Sequence, residues 1–510
     1  MTDIVFAFEV HQPFRVRKDY FWEHNMFKRL SGDELFDYYF DTNLNREIFE
    51  RASRKCYFPS NQIILEAIDE SKREKKRVKV SFSLSGVFLE QCERFNKDVL
   101  NSFKQLASTN CVEFIGQTYF HSLCGLYPRK DEFIEQVELH KQTIRDLLGV
   151  QPTFFENTEL LYNNNVAKNV QELGYLGIFT EGAERILGNR SPNYVYSAKD
   201  CSKIRILLRN YKLTDDIGFR FSSRWWNEWP LTADKYINWL SSTPGQCIVI
   251  FPDYETFGEH HWPETGIHEF LSHLLRLINE KPNLKMETPS EVVKKNNPQE
   301  EIDVPEFGTV SWADTERNAS GWLGNTMQWA YYTSTRDIEP LVKESQDRGL
   351  LKMWRYFQIS DHLYYMFASG GGPGEVHVYF SPFGSPVDAF VTSQGAIMDF
   401  EWRLKSVVVA SNEPFKFHTG IGEENYTGFI ALSLRGFMDC LSRVDLKSIE
   451  FHNARGDFEE WAATGLRDET LATEFKKNSK LKRSNLRKTL IDVVRNRLDE
   501  YVNFTCTNKR

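Results

Sequence analysis

The chain has 510 residues, a formal net charge of −8, 41% hydrophobic residues and 26% charged residues. These values are typical of a globular protein and exclude an intrinsically disordered chain. The net negative charge offers no overall attraction to a polyanion such as DNA, so we expect no nucleic-acid partner. A chain of this length predicts one large domain, big enough for a barrel, with one or two additions.

The N-terminal segment MTDIVFAFEVHQP lacks the basic start and the long apolar stretch of a secretory signal peptide. No stretch approaches 18 consecutive apolar residues, so we expect no membrane span. The eight cysteines are scattered without a C-x-x-C pair, which favours buried reduced thiols over disulfides or a zinc site. We therefore expect a cytoplasmic protein, and nothing in the sequence points to a particular oligomeric state.

The first 300 residues alternate short apolar runs with longer amphipathic patterns. Helical periodicity is present in segments such as 61–73 and 131–148. The apolar runs predict strands over residues 4–10, 78–84, 112–115, 153–155, 177–180, 203–208 and 247–251. Strands that alternate with helices are typical of parallel sheets with crossover helices, and about seven such units favour a barrel.

Polar or ionisable residues directly follow five of these runs, in the stretches VHQP, GQTYFHS, ENTEL, TEG and PDYETFGEH. In a barrel of parallel strands, the C-terminal ends of the strands meet at one rim, where active sites lie. Five strands that each deliver a polar cluster to one rim predict a functional site there.

The pattern changes after a connector rich in Pro, Asn and Glu around residues 295–308. Long helices are predicted over 322–344 and 349–368, and the region 410–510 also has helical periodicity. We therefore predict an α/β chain in three parts: a catalytic barrel (1–300), a helical domain beside its mouth (301–409) and a C-terminal helical domain of unknown role (410–510).

Two carboxylates stand out because each follows an apolar strand. Glu159 and Asp253 are 94 residues apart, so they come from different strands. Hydrolysis of a glycosidic bond with retention needs two such groups about 5–5.5 Å apart, a nucleophile and an acid/base. The structural alternative is that Glu159 opens a helix near Leu160 and that Asp253 belongs to a turn after Pro252.

Histidines supply further candidates. His11 follows the first strand, as a core histidine or as a hydrogen-bond partner of a sugar hydroxyl. His121 and the pair His260–His261 raise the hypothesis of a metal site. None of the 12 histidines has the H-x-x-H or H-x-x-x-H spacing that puts two ligands on one helix face, so we expect no metal.

Two stretches combine tryptophan with polar residues, as a surface that stacks on sugar rings would. They are SSRWWNEWP, which contains Trp226, and SWADTERNASGWLGN, which contains Trp312 and Asp314. The alternatives are core packing for Trp226 and a helix start for the second stretch.

Five stretches, in this order, resemble the five sequence regions of glycoside hydrolase family 57. They are HQP (11–13), GQTYFH (116–121), ENTEL (156–160), PDYETFG (252–258) and WADTE (312–316). The closest resemblance is to the α-amylase branch of that family, and it covers about residues 1–400.

This resemblance implies an incomplete (β/α)7 barrel followed by a helical bundle that helps close the cleft. It implies a retaining mechanism on α-1,4-glucans such as starch, glycogen or maltooligosaccharides, with no obligatory metal or organic cofactor. The match implies Glu159, not Glu156, as the nucleophile and Asp253 as the acid/base. The remaining matched positions, which line the subsites in the family, are His11, Gln117, His121, Glu255, Trp312 and Asp314.

A retaining mechanism needs an ionised nucleophile and a protonated acid. We therefore predict hydrogen-bond donors around Glu159, and an apolar setting from Phe251 and Phe257 around Asp253.

Three alternatives stay open. The same machinery serves 4-α-glucanotransferases and branching enzymes, which differ in the acceptor that resolves the intermediate. A metal-dependent polysaccharide deacetylase, whose barrel is similar, needs paired aspartates and closely spaced histidines, which the sequence lacks. An inactive α-glucan-binding protein is disfavoured because both candidate carboxylates are present.

Overall fold

The computed structural model describes residues 1–19, 30, 32–313, 315–368, 381–479, 481 and 484–507. Contacts within the chain group it into two compact units. As far as these segments are described, unit 1 contains Met1–Lys18, Asp37–Ala330 and Gln358–Phe390, and unit 2 contains Asp19–Phe36, Tyr331–Phe357 and Val391–Arg510. The three contiguous domains expected from the sequence stay a prediction.

Unit 1 is built on short, buried, mostly parallel strands. They are β1 (Thr2–Val10), β2 (Val80–Leu84), β3 (Val112–Ile115), β4 (Phe154–Glu156), β5 (Gly177–Glu181), β6 (Val195–Ala198), β7 (Arg205–Arg209), β8 (Cys247–Ile250), β9 (Leu284–Met286) and β10 (Glu301–Ile302). All seven predicted strands are present, whereas β6, β9 and β10 were not predicted.

Seven of these strands close into a ring of parallel neighbours. β1 pairs with β2 and β2 with β3. On the other side, β4 pairs with β5, β5 with β7, β7 with β8, and β8 with β1. The predicted (β/α)7 barrel is thereby confirmed.

The seam between β3 and β4 is thin and is closed by a single bridge between Gly116 and Phe155. The Gly116 N–H donates to the Phe154 carbonyl oxygen at 2.9 Å, and the Glu156 N–H donates to the Gly116 carbonyl oxygen at 2.9 Å. A β-carbon at Gly116 would lie 2.5 Å from the hydroxyl oxygen of Tyr175. Glycine therefore permits the close approach that this seam requires.

Strand alternation decides which side chains point into the barrel. On β1, Ile4, Phe6 and Phe8 pack in a core shared with the surrounding helices. Val5 and Ala7 pack in a separate cluster with the inward residues of the other strands. Near the C-terminal ends of the strands, the same inward face becomes polar. These buried residues, which we call the polar layer, are Glu9, Ser83, Gln117, Glu156, Glu181 and Arg209.

Helices connect the strands, as the periodicity predicted. Those of the first 300 residues are Gly32–Tyr39, Thr42–Ala52, Phe58–Ser71, Gly86–Phe95, Lys97–Ser108, Asp131–Leu148, Asn164–Glu172, Glu184–Leu187, Tyr211–Gly218, Ala233–Ser242, Ile267–Glu280 and Pro289–Lys295. A five-residue π-helix, Ser53–Tyr57, joins the second of them to the third.

The long helices predicted over 322–344 and 349–368 are wrong as continuous elements. The structure instead has Ser320–Leu323, Thr326–Asp337, Glu339–Ser345, Arg348–Tyr356 and Ser360–Tyr364, with a longer helix at Pro386–Val408. A new helix begins at Glu339. Pro340, in its first turn, has no N–H to continue the preceding helix, and its ring would clash with that helix. Asp347 caps the next helix by accepting from the N–H groups of Gly349 and Leu350.

The C-terminal part of unit 2 is helical, as expected. Its helices are Leu434–Arg443, Leu446–Arg455, Asp457–Thr464, Glu469–Asn478 and Ser484–Thr507. An antiparallel hairpin of β11 (Ala410–His418) and β12 (Tyr426–Ser433) precedes them and was not predicted. Its signal is the alternation of Phe415 and Phe417 with polar neighbours, which places both rings against Phe437. Among the described residues, no helix has the length and apolar character needed to cross a bilayer.

Candidate active site

Glu159 lies just after β4, in the short 3-10 turn Thr158–Leu160. Its φ is 61° and that of Leu160 is 50°, a left-handed conformation that costs a non-glycine residue about 1–3 kcal/mol. Three groups surround the carboxylate. Trp312 Nε1 donates to Oε2 at 2.8 Å, Ser360 Oγ donates to Oε1 at 2.8 Å, and His121 Nε2 lies 3.5 Å from Oε1. The donors expected around Glu159 are present, and they stabilise its negative charge.

Trp312 connects Glu159 to the end of β8. Its ring lies edge-on to Phe251, with centroids 6.1 Å apart, and the guanidinium carbon of Arg209 lies 5.8 Å from the ring centroid. Arg209 Nε also donates to the Phe251 carbonyl oxygen at 2.8 Å. Since Phe251 is two residues before Asp253, a single indole side chain is in contact with both strand ends.

Asp253 follows β8, and its backbone forms a bridge with Glu9 of β1. Burial raises the pKa of Asp253 to about 7, and the negative charge of Glu159 adds to this effect, while Arg209 and His121 oppose it. An ordinary aspartate is ionised at this pH, so Asp253 is unusual in keeping its proton close to neutral pH.

The structure separates the two phenylalanines that were expected to provide an apolar setting for Asp253. Phe251 is fully buried in the barrel interior, two residues before Asp253. Phe257 packs in the helix-facing core instead, edge-on to Phe8 with centroids 5.7 Å apart.

The rings of His11 and His121 stack, with centroids 4.0 Å apart. His11 Nε2 lies 3.0 Å from Asp361 Oδ2, and Nδ1 lies 2.7 Å from Ser85 Oγ. Because a carboxylate only accepts, Nε2 carries the hydrogen and Ser85 donates to Nδ1. Burial and the charge of His121 lower the pKa of His11 to about 4, so His11 is neutral at pH 7. Burial opposes the charged form of His121 too, but Glu159, with smaller contributions from Glu156 and Asp361, outweighs it and the pKa of His121 is raised.

Gln117 joins His121 to the polar layer. Its Oε1 accepts from His121 Nδ1 at 2.9 Å, and its Nε2 donates to Glu9 Oε1 at 3.0 Å and to Ser83 Oγ at 2.7 Å. Ser83 Oγ in turn donates to Glu156 Oε2 at 2.6 Å. A continuous chain of buried hydrogen bonds therefore runs from Glu156 to the ring beside Glu159.

Arg209, which lies beside the Trp312 ring, belongs to a compact group of oppositely charged side chains. Arg209 donates to Glu181 Oε2 at 2.9 Å and to Asp215 Oδ1 at 2.7 Å, and Arg317 lies 3.5 Å from Glu181 and 3.4 Å from Asp215. Burial raises the pKa of Glu181 to about 7 although both guanidinium groups oppose it. This group anchors Arg209, whose charge limits the rise in the pKa of Asp253.

Two other residues predicted for the site, Glu255 and Trp226, have different surroundings. Glu255 accepts from the Tyr57 hydroxyl and from Gln12 Nε2, and burial raises its pKa to about 8. Trp226 packs edge-on against Trp239, with centroids 6.1 Å apart, at the border of the hydrophobic core. Asp314 lies outside the described residues.

Several residues of this centre escaped the sequence analysis. The alternation of side chains along a strand could have indicated that Glu9 and Arg209 point into the barrel, since each lies two residues beyond an inward apolar residue on its strand. Strand alternation says nothing of Ser360 and Asp361, which reach the site from a helix about 200 residues after Glu159. In the part of the chain that the structure describes, no group of three His, Cys, Asp or Glu side chains is arranged to hold a metal ion.

The chain was compared with known proteins. Residues 5–305 match the family model described as glycosyl hydrolase family 57. A curated relative from Methanocaldococcus jannaschii, named "Putative alpha-amylase", is 47% identical over 416 residues, which is 80% of this chain and 86% of the relative.

Solved structures with the same fold include a 4-alpha-glucanotransferase from Thermococcus litoralis, with a TM-score of 0.57 and 17% identity. The alignment covers 84% of this chain but only 62% of that protein, so this chain spans less than two thirds of its length. A branching enzyme from Thermococcus kodakaraensis also has a TM-score of 0.57, with 15% identity over 80% of this chain and 90% of that one.

Proposed function

The chain belongs to glycosyl hydrolase family 57 and is a glycoside hydrolase, and from this premise we propose that it hydrolyses α-1,4-glucans with retention of configuration. Glu159 is the nucleophile and Asp253 the general acid/base in this proposal. The name of the curated relative favours amylase activity over transfer.

The observation that carries the proposal is the contrast between the two carboxyl groups. Glu159 is surrounded by three groups that stabilise its negative charge. Asp253 has its pKa raised to about 7 by burial and by the charge of Glu159. A glutamate held by hydrogen-bond donors, near a carboxyl group that keeps its proton close to neutral pH, is what a retaining glycosidase needs.

In the first step, Asp253 donates its proton to the glycosidic oxygen while a Glu159 oxygen attacks the anomeric carbon. The bond to the leaving oxygen breaks and a glycosyl ester of Glu159 forms. In the second step, water attacks the anomeric carbon, Asp253 accepts its proton and Glu159 is released as a carboxylate.

The electrostatics of the pair fit this change of role. The charge of Glu159 is one of the causes that raise the pKa of Asp253 in the free protein. That charge disappears when the ester forms, so the pKa of Asp253 falls and Asp253 remains ionised. It is then ready to accept a proton from water.

The proposal is tested with Glu159→Gln and Asp253→Asn. Glu159→Gln is expected to reduce starch hydrolysis by at least about 10³-fold and to form no covalent intermediate. Asp253→Asn is expected to lose starch hydrolysis but to form the ester with aryl maltosides whose leaving groups need no proton. Glu344→Gln, which changes a partly buried carboxylate that accepts from Ser433 in unit 2, is the control. Near wild-type starch hydrolysis by either site variant would contradict the proposal.

Product analysis on maltoheptaose separates hydrolysis from transfer. Hydrolysis yields only shorter oligomers, whereas a glucanotransferase with the same two carboxyl groups also yields longer ones. Products longer than the substrate would replace the hydrolase assignment with a transferase and leave the roles of Glu159 and Asp253 in place.

A further inference from the structure

Glu9 and Glu156 have no part in the steps above, yet both are buried in the polar layer. One oxygen of each is occupied, Glu9 Oε1 by Gln117 Nε2 and Glu156 Oε2 by Ser83 Oγ. The other oxygens, Glu9 Oε2 and Glu156 Oε1, receive no hydrogen bond from any neutral or cationic donor among the described residues. The two carboxyl groups lie close enough for each to affect the pKa of the other, and a shared proton would let one of them donate to the other.

A hydrogen bond between two carboxyl groups requires a proton, because two carboxylates can only accept. Two touching, buried carboxylates would also combine a desolvation cost with mutual repulsion. Burial and the charge of Glu156 raise the pKa of Glu9 well above its ordinary value. Burial raises the pKa of Glu156 as well, although its interactions with Glu9, His121 and Ser83 oppose this rise. Since both pKa values are raised, the pair favours holding one proton and retaining one negative charge.

The direction of the hydrogen bonds determines the state of His121. The amide nitrogen of Gln117 donates to both Glu9 and Ser83, so its oxygen must face His121 and Nδ1 must carry a hydrogen. A neutral ring with that hydrogen would direct the lone pair of Nε2 at the Glu159 carboxylate, 3.5 Å away. Only the doubly protonated ring offers a donor to Glu159.

A buried imidazolium needs negative charge nearby. The stacked ring of His11 is neutral and contributes none. The carboxyl groups that face or act on His121 are Glu159 at 3.5 Å, Glu9 at 3.6 Å, Glu156, Asp361 and Asp253. Asp361 keeps its negative charge because its partner His11 is neutral, and Glu156 adds a further charge from the polar layer, which Ser83 and Gln117 join to the ring.

We propose that Glu9 and Glu156 are positioning residues that share one proton, and that the single negative charge they retain holds His121 as the imidazolium that donates to Glu159. The consequence for catalysis rests on the proposed role of Glu159 as the nucleophile. Neither glutamate contacts the reacting atoms, and both act through Gln117 and His121.

The test reads the charge of His121 directly. Protein labelled with 13C at the histidine Cε1 position is studied by 1H–13C spectroscopy, and the His121 resonance is assigned by its loss in His121→Gln. In Glu9→Gln, an amide N–H replaces the carboxyl O–H and the charge on Glu156 is kept, so His121 is expected to stay charged at pH 7. In the double variant Glu9→Gln/Glu156→Gln, the charge is gone and the proton affinity of His121 should fall at least about tenfold.

A neutral His121 in the wild-type protein or in Glu9→Gln would overturn the proposal, and so would an unchanged titration in the double variant. If the double variant does not fold, Gln117→Leu cuts the same connection and is expected to lower the proton affinity of His121 in the same way. An unchanged titration in that variant would equally overturn the proposal.

The pH profile of kcat/KM adds a catalytic readout. Loss of the His121 charge removes a donor from Glu159, so the acid limb should move to higher pH in the double variant and stay in place in Glu9→Gln. A purely structural role would lower the rate without moving the limb. Because the spectroscopic measurement needs no turnover, failure of wild-type glucan hydrolysis would contradict the proposed function without affecting the result for His121.

Discussion

A buried carboxylate of unit 2 and a group of buried carboxyl groups in unit 1 show how differently a folded chain can treat the same kind of side chain. In unit 2, Asp468 accepts from the Leu471 N–H at 3.0 Å, from Arg497 at 2.7 and 2.9 Å, and from the Tyr501 hydroxyl at 2.8 Å. Burial alone would raise its pKa, but these donors lower it. Its charge is fully compensated, which is the signature of a structural residue.

At the mouth of the barrel the balance is reversed. Glu9, Glu156 and Asp253 all have raised pKa values, with burial as the largest cause. Two of them leave an oxygen without an ordinary donor among the described residues. Carboxyl groups held in a protonated or shared state cost stability, so their concentration at one rim indicates chemistry.

The largest effect on this contrast is expected when a hydrogen-bond donor to Glu159 is removed. Trp312→Phe keeps a ring against Phe251 but removes the indole N–H, a charge-assisted hydrogen bond worth about 1.5–3 kcal/mol. Hydrolysis is expected to fall by about 10- to 100-fold in initial-rate measurements. The matched control is Trp354→Phe, whose indole N–H donates to the Thr335 carbonyl oxygen within unit 2. An equal loss of activity in both variants would show that the indole of Trp312 acts only through folding.

The pH dependence of the wild-type protein sharpens the contrast. Asp253 must be protonated to act as an acid, and its pKa of about 7 places the loss of that proton just above neutrality. The basic limb of kcat/KM should therefore have a midpoint near pH 7, with about a tenth of the plateau value at pH 8. Activity that remains constant up to pH 9 would contradict the assignment of Asp253 as the acid.

The smallest effect on activity is expected from the structural carboxylate. Asp468→Asn leaves the barrel unchanged, so starch hydrolysis at 25 °C should be equal to that of the wild-type protein. Stability should fall by about 2 kcal/mol, since charge-assisted hydrogen bonds from Arg497 are lost.

The pH dependence of this stability follows from the lowered pKa of Asp468. A carboxyl group with a lowered pKa in the folded state contributes its stability above the unfolded pKa of about 3.9, and loses it as the pH falls through the folded value. The difference in unfolding midpoint between variant and wild type should thus be largest near pH 7 and should shrink below pH 4. A difference independent of pH would show that the charge of Asp468 contributes nothing.

Much of the fold was predictable because its signals are local. Seven apolar runs separated by amphipathic helices predicted the parallel barrel, and every one of those runs forms a strand. The predictions failed where one residue interrupts a longer pattern. Pro340 divides the region that its periodicity presents as one helix over 322–344. The hairpin of β11 and β12 was missed because its alternation was outweighed by the helical patterns around it.

The amino-acid sequence by itself determined that Glu159 and Asp253 lie at the ends of strands, because the length and polarity of a strand depend on consecutive residues. Only the tertiary structure decided which groups surround them. Ser360 and Trp312 come from segments 201 and 153 residues away, and Glu9 and Glu156 come from different strands. Charge states follow from burial and from neighbours in space, and neither is a property of a short stretch of chain.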